Sequence, residues 1–246
     1  EEKEAGVAIV DIGGGTTDIS VFKDNIIRHT CVIPYGGGIV TDDIKEGCSI
    51  IEKHAEQLKV KFGSAVPDLE KDSTFVTIPG LHGRPDKEIS LKSLASIINA
   101  RMEEILEMVN TELKAYGAHD QKKKLIAGLV LTGGGSNLKN LRQLANYIIG
   151  FDSRIGFANE HIVNDKNQYL KSPEYATSIG LLMESLKINE RKPKEEEIPR
   201  PVQETEEELS LKITTKPEVE EKTIESEEKE ISENSKKTFG QKFWAQ

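Results

Sequence analysis

A chain of 246 residues in which 36% are hydrophobic and 30% charged is long enough for one or two domains around a sizeable core. Its net charge of -9 argues against a nucleic-acid binder, which presents a basic face. No apolar run approaches the roughly 18–20 residues needed to span a bilayer, and Cys31 and Cys48 lie in neither a CxxC nor a Cys/His metal spacing, so reduced thiols of a cytosolic protein are expected.

The chain opens on EEKEAG, without Met and directly before an apolar run, as a fragment lacking an upstream part would. Val7–Ile12 and Asp18–Phe22 read as strands on either side of a glycine turn, and Asn25–Ile33 as a third. Thr41–Phe62 has helical periodicity, with Ile44, Cys48, Ile51, His54, Ala55 and Leu58 recurring at spacings of three and four. Phe75–Ile78 is a short strand before Pro79-Gly80. Leu91–Tyr116 predicts a long amphipathic helix, closed by Gly117 as C-cap. Gly128–Thr132 (GLVLT) predicts a buried strand, followed by a glycine turn and a helix over Leu138–Ile149, for which Ser136 or Asn137 can serve as cap. Strands first, then helices with returning strands, indicate an α/β domain.

From Ile188 to Ser235 the composition changes. This stretch holds 16 acidic and 8 basic residues, four prolines and no aromatic residue. It lacks the apolar surface to offset ordering entropy and reads as an extended, disordered acidic linker. The last residues, KKTFGQKFWAQ, bring back aromatics and lysines. Phe239 and Phe243 are four apart, on one face of a helix. With Lys242 and Trp244 they read as an interfacial membrane segment, or equally as a frayed tail or a linear motif for a protein groove.

Three GGG triplets punctuate the globular part: Gly13–Gly15, Gly36–Gly38 and Gly133–Gly135. Glycine turns let a ligand approach the backbone, and successive N–H groups in them bind anions. DIGGGTTDIS is neither a Walker A loop nor a GxGxxG fingerprint. It reads as strand–turn–strand, with Asp11 able to hold Mg2+ through water or orient a water, and Thr16 and Thr17 able to donate to phosphate oxygens. Alone, it reads as well as a hairpin whose side chains satisfy the turn. LVLTGGGSNLKNL precedes a helix, so Gly133, Gly134, Gly135 and Ser136 suit an anion or a flat nucleobase. It also reads as a plain strand–helix turn.

Together the motifs resemble a known superfamily. DIGGGTTDIS is similar to the second phosphate motif of the actin-like ATPases, VLTGGGSNLKNL to their adenosine motif, and SPEYATSIGLL (172–182) to their second connecting motif, in the same order. YGGGIVTDDI and AEQLKVKFG look like the turn and helix that approach the sugar and base. The resemblance therefore places Gly37, Gly38, Glu56 and Lys59 at the nucleotide. On residues alone, Glu56 and Lys59 are an ordinary exposed i,i+3 pair worth a few tenths of a kcal/mol. Within the superfamily, residues 6–187 are most similar to the FtsA family of bacterial cell-division proteins, and the tail matches in layout.

The resemblance implies an actin-like (ribonuclease H-like) second-half domain. Subdomain 2A would take about 1–44 and 96–187, with a small α/β subdomain 2B inserted at about 45–95. Residues 188–235 would be the linker and 236–246 the membrane-targeting segment. It implies ATP and Mg2+ as ligands, with the nucleotide acting mainly as a switch and at most weak hydrolysis. Implied partners are the C-terminal peptide of FtsZ, other copies in a head-to-tail polymer, other division proteins and anionic lipids of the bacterial inner membrane. The implied location is the cytoplasmic face at the division site. The first phosphate motif of the superfamily would lie upstream, which leaves half a cleft here. A sugar kinase or exopolyphosphatase of the same superfamily, or a shape-determining or pilus-assembly relative, stays open; His54, His82 and His119 are too scattered to supply an acid–base site.

Overall fold

β1 (Val7–Ile12) is apolar almost throughout because it lies at the centre of a sheet, with four of its six side chains buried. The computed structural model describes residues 1–191 except 71–72, 81–82, 84, 122 and 159–168. These fall within one compact unit, Glu1–Pro193, while Lys194–Gln246 forms a second unit outside the described residues. The expected linker from residue 192 onward and the membrane segment with Phe239, Lys242, Phe243 and Trp244 therefore lie outside the described residues. So does His82.

A four-residue helix α1 (Glu2–Ala5) precedes β1. β2 (Thr17–Lys23) and β3 (Ile26–Ile33) follow as an antiparallel hairpin. Its two turn residues, Asp24 and Asn25, both have positive φ, the twist that two-residue hairpin turns require. The other half of the sheet is parallel: β6 (Leu129–Thr132) pairs with β1 and β7 (Ser153–Ile155) with β6. The order is β3-β2-β1-β6-β7. All four β6 side chains are buried, as expected of a strand enclosed on both faces.

α4 (Leu91–Tyr116) supplies the longest apolar stripe, in which Leu94, Ile98, Met102, Ile105, Leu106, Val109 and Leu113 are fully buried. It ends as its sequence predicts. Gly117 is left-handed (φ 87°), and the Ala118 N–H returns to the Leu113 carbonyl at 2.9 Å, closing a Schellman cap. A second, two-stranded antiparallel sheet joins β4 (Phe75–Ile78) and β5 (Lys87–Ser90). Its Ile78 and Ile89 enter the same apolar cluster as Leu58, Leu94 and the main sheet.

Three details differ from the periodicity. The helix expected over 41–62 is two helices, α2 (Gly37–Cys48) and α3 (Glu52–Phe62). Ser49 takes a left-handed conformation and donates its N–H back to Glu46 at 3.1 Å. Ile51 is then an extended, partly exposed residue before α3 rather than part of the stripe. α5 starts at Leu141, after a 3-10 turn over Gly134–Asn137, with Asn140 as N-cap. Neither Ser136 nor Asn137 caps it. α6 (Ala176–Arg191) carries helix four residues into the stretch expected as linker. β5 and β7, too short to show a period, were missed altogether.

Leu106 is fully buried on α4, whereas Leu186 on α6 is 56% exposed. Leu106→Ala is expected to cost about 2–5 kcal/mol, and Leu186→Ala to stay within about 0.5 kcal/mol of wild type. Urea unfolding followed by circular dichroism measures both.

Candidate functional site

β1 delivers the chain into the Gly13–Gly15 turn, which Gly13 N–H closes on Thr16 O at 2.9 Å. The turn's other face meets the start of α2. Gly37 N–H donates to Gly13 O at 2.8 Å and Gly38 N–H to Gly14 O at 2.7 Å. Two stretches of backbone can come this close only without side chains: a Cβ on Gly36 would stand 2.6 Å from Gly13 O and 2.9 Å from Gly14 O. In a planar trans peptide the carbonyl and the next N–H point in opposite directions. With the Gly13 and Gly14 carbonyls fixed on α2, the Gly14 and Gly15 amides face away from it. Neither has a partner among the described residues, and a Cβ at either would meet nothing within 4 Å. The turn thus presents two free N–H groups to open space, a fit for an anion. The Gly37 and Gly38 amides hold this turn; of the two residues, both expected at the nucleotide, Gly37 also lines the cleft that this turn bounds, and Gly38 does not.

The second turn of the site comes from β6. Gly133 has φ 82°, and a Cβ there would stand 2.3 Å from Asp11 Oδ1 and 2.5 Å from Ile12 O. A Cβ on Gly135 would overlap Ile12 Cγ2 at 2.4 Å. These glycines exist so that the β6 turn can lie against β1. The Ser136 hydroxyl is buried and donates to Gly133 O at 2.7 Å, which leaves it facing its own turn. The Pro173 carbonyl accepts from Gly133 N–H and Thr132 Oγ1, both at 3.2 Å. This anchors the entry to α6, whose Thr177 hydroxyl donates to Asp11 Oδ2 at 2.7 Å.

Between the two turns lies a cleft of about 230 Å³. It brings together seven of the expected residues: Gly13, Gly14, Gly37, Glu56, Lys59, Gly134 and Gly135. Asp11, Gly15, Thr16, Gly38, Gly133 and Ser136 do not form its wall. Thr16 is exposed and donates to Asp18 Oδ2 at 2.9 Å. Thr17 cannot serve as expected. It is fully buried and donates to Tyr35 O at 2.8 Å, because β2 alternation turns its side chain into the core. The apolar lining of Ile12, Val60, Met102 and Leu138, and Glu174 at the connecting turn, were missed. Val60 follows Lys59 directly and was within reach of the motif; Met102 comes from α4, with no local signal. No group of three His, Cys, Asp or Glu suited to a metal occurs among the described residues.

Glu56 and Lys59 form an ion pair at 2.8 Å on α3, and the Thr41 hydroxyl of α2 lies 2.5 Å from Glu56 Oε2. Burial by itself would raise the Glu56 carboxyl. The hydrogen bonds from Lys59 and Thr41 and the Lys59 charge outweigh it and hold the group below the usual carboxylate range.

A sequence-family model described as cell division protein FtsA matches residues 8–180. The cell division protein FtsA of Pseudomonas aeruginosa is 37% identical over 186 residues, covering 76% of this chain and 43% of that protein. That of Neisseria meningitidis serogroup B is 37% identical over 196 residues, covering 80% and 46%. The chain therefore spans less than half the length of these relatives. Among solved structures, MreB5 of Spiroplasma citri bound to ADP is similar with a TM-score of 0.60 at 20% identity, over 78% of this chain and 58% of that one. The mixed α/β architecture is accordingly that of the actin-like ATPases.

A depressed carboxyl contributes stability above its unfolded value, here about 4.5, and that contribution is lost as pH falls through the lower folded value. Glu56→Gln is expected to make the loss of stability below about pH 4.5 shallower than in wild type. Urea midpoints measured across the acid range test this, and parallel curves would show that the pair contributes nothing.

Proposed function

The chain belongs to the family of the cell division protein FtsA, and from that premise we propose that it carries one half of the nucleotide cleft of an actin-like cell-division protein. The observation that supports this best is the orientation of the Gly14 and Gly15 amides. They face open space beside a cleft that also gathers Glu56, Lys59 and the Gly134–Gly135 turn. In this reading the amides take phosphate oxygens of ATP, Glu56 and Lys59 serve the sugar, and Gly134 and Gly135 give the adenine access to backbone. Ile12, Val60, Met102 and Leu138 supply the apolar surface such a ring needs. The ADP in the MreB5 structure supports a nucleotide as the ligand.

The donor set also suits a hydrated Mg2+, which keeps several waters and asks for only one or two carboxylates. Asp11 would hold it through water, since Thr177 orients the carboxylate at the end of β1 and occupies only Oδ2. When bound, the ion supplies charge neutralisation between phosphates. In this reading the cleft residues of this chain bind and orient the nucleotide, which acts mainly as a conformational switch.

The wider role follows the family. Residues 45–95 would be the inserted subdomain 2B, and its surface would take the C-terminal peptide of FtsZ. The remainder of 1–187 would be 2A, and cleft closure on ATP would favour a head-to-tail polymer. The acidic linker would reach from 192, after the end of α6, to 235. Phe239, Lys242, Phe243 and Trp244 would seat the protein on anionic lipid at the cytoplasmic face of the inner membrane at the division site.

Two measurements test these assignments. In the intact protein, Asp11→Ala is expected to weaken Mg2+·ATP binding about tenfold, the loss of one charge-assisted contact; unchanged affinity by calorimetry removes the metal role. Deletion of Lys236–Gln246 is expected to abolish co-sedimentation with vesicles containing phosphatidylglycerol, and equal sedimentation with and without the segment removes the anchor.

A further inference from the structure

The two edges of the main sheet are finished differently. β7 closes one side with only three residues, and its Arg154 is bonded to Glu2 at 2.6 Å and 2.8 Å. β3 closes the other with eight, the longest strand of the sheet. Edge strands are templates for pairing with another chain, and proteins blunt them with shortness, lysine, proline or a bulge. β3 contains no lysine or proline, and Arg28 is already engaged by Asp24 at 2.8 Å. Its one irregularity sits at the hairpin end, opposite Val21 and Phe22. Ile26, Ile27 and Val32 are each more than half exposed. In an antiparallel pair, every second residue turns its N–H and C=O away from the neighbouring strand. On β3 those groups have no backbone partner among the described residues.

Beside this edge, β3 and α4 enclose a groove of about 430 Å³. Cys31 and Ile33 line it from the strand, and Glu104, Glu107, Thr111 and Glu112 from the helix. The four α4 residues stand at i, i+3, i+7 and i+8, which is one stripe of a helix. No lysine or arginine lines the groove among the described residues. Arg101 engages Glu104, and Glu112 lies 3.5 Å from His29 Nε2. Glu107 is exposed and has no ion-pair partner among the described residues.

Charge selects the occupant. Two copies paired β3 to β3 would bring their glutamates together, and like charges facing each other across such a pairing are destabilising. Nucleic acid and anionic lipid are repelled by the same carboxylates. An extended peptide with lysine or arginine satisfies both features, giving backbone to the edge and cations to the stripe. Side chains of an added strand alternate between the two faces of the sheet. Cations at every second position therefore fall on the face where His29, Cys31 and Ile33 meet α4.

We propose that the β3 edge and the acidic stripe of α4 form a docking site for an extended basic peptide of a partner protein, bound as a further strand of the sheet. This site is independent of the nucleotide cleft, with which it shares no lining residue.

The experiment uses the whole chain and a fluorescent seven-residue peptide that alternates lysine and valine. One control peptide carries glutamate in place of lysine; another keeps the lysines and is N-methylated at every residue, so it cannot pair as a strand. Anisotropy is expected to show binding of the lysine peptide alone. Glu107→Lys is expected to weaken it roughly three- to tenfold, the range of an exposed charge pair lost and reversed. Glu46→Lys, the same charge change at an exposed position of α2, is expected to leave it unchanged. Amide hydrogen exchange in Ile26–Ile33 is expected to slow about tenfold when the peptide is present at about ten times its Kd. Equal binding of the N-methylated peptide, equal weakening by Glu46→Lys, or unchanged exchange in β3 overturns the site, since each places the lysines on negative charge elsewhere. So does a lysine peptide that fails to bind. Outward amides of β3 that exchange slowly without peptide also overturn it: at every dilution they show an edge covered by the chain itself, and at high concentration only, one covered by a second copy.

Discussion

The site depends on the backbone-to-backbone contact between the Gly13–Gly14 turn and the first residues of α2. Two hydrogen bonds of 2.7–2.8 Å fix the turn's carbonyls. Because the peptide planes are rigid, this also fixes where the following amides point. No side chain chooses that direction. It follows from the absence of side chains at Gly36 and Gly38, where a Cβ would press to within 2.6 Å and 3.0 Å of the turn's carbonyl oxygens. The same device recurs at Gly133 and Gly135, where the β6 turn lies against Asp11 and Ile12. Both walls of the cleft are built from backbone that comes closer than any other residue type allows.

Such contacts hold only if their supports do not move. β1 and β6 are adjacent parallel strands, and their ends carry the two turns. The buried stripe of α4 packs in the same cluster as this sheet and as α2 and α3. Met102 belongs at once to the core and to the cleft lining. Protein interiors are packed densely enough that a displacement in one element is felt in its neighbours. The polar link from Glu56 through Thr41 and Lys59 to Gly37 adds a second, electrostatic connection between α3 and the turn.

Much of this was legible in the chain. The apolar run of β1, the heptad-like stripe of α4 and the Gly117 cap carry their structure in local sequence, since each is decided by side-chain period or backbone freedom. The glycine triplets announced turns, and their order with SPEYATSIGLL pointed to a nucleotide cleft. The break between α2 and α3 was hidden because Ile51 and His54 keep helical spacing across it, and only the left-handed Ser49 interrupts the backbone. β5 and β7 are four and three residues long, too short for alternation to register.

What the sequence determined by itself is which residue types meet at the site: glycines at three turns, a Glu and a Lys one turn apart on α3, and a carboxylate at the end of β1. Tertiary structure decided what each of them does there. Gly37 and Gly38 became supports, Thr17 became a core residue, and Lys59 was saturated by acceptors from two helices. The reason is that a hydrogen bond is assigned by position in space. A donor is spent on whichever acceptor the fold brings within about 3 Å, and no local pattern along the chain records where those acceptors will stand.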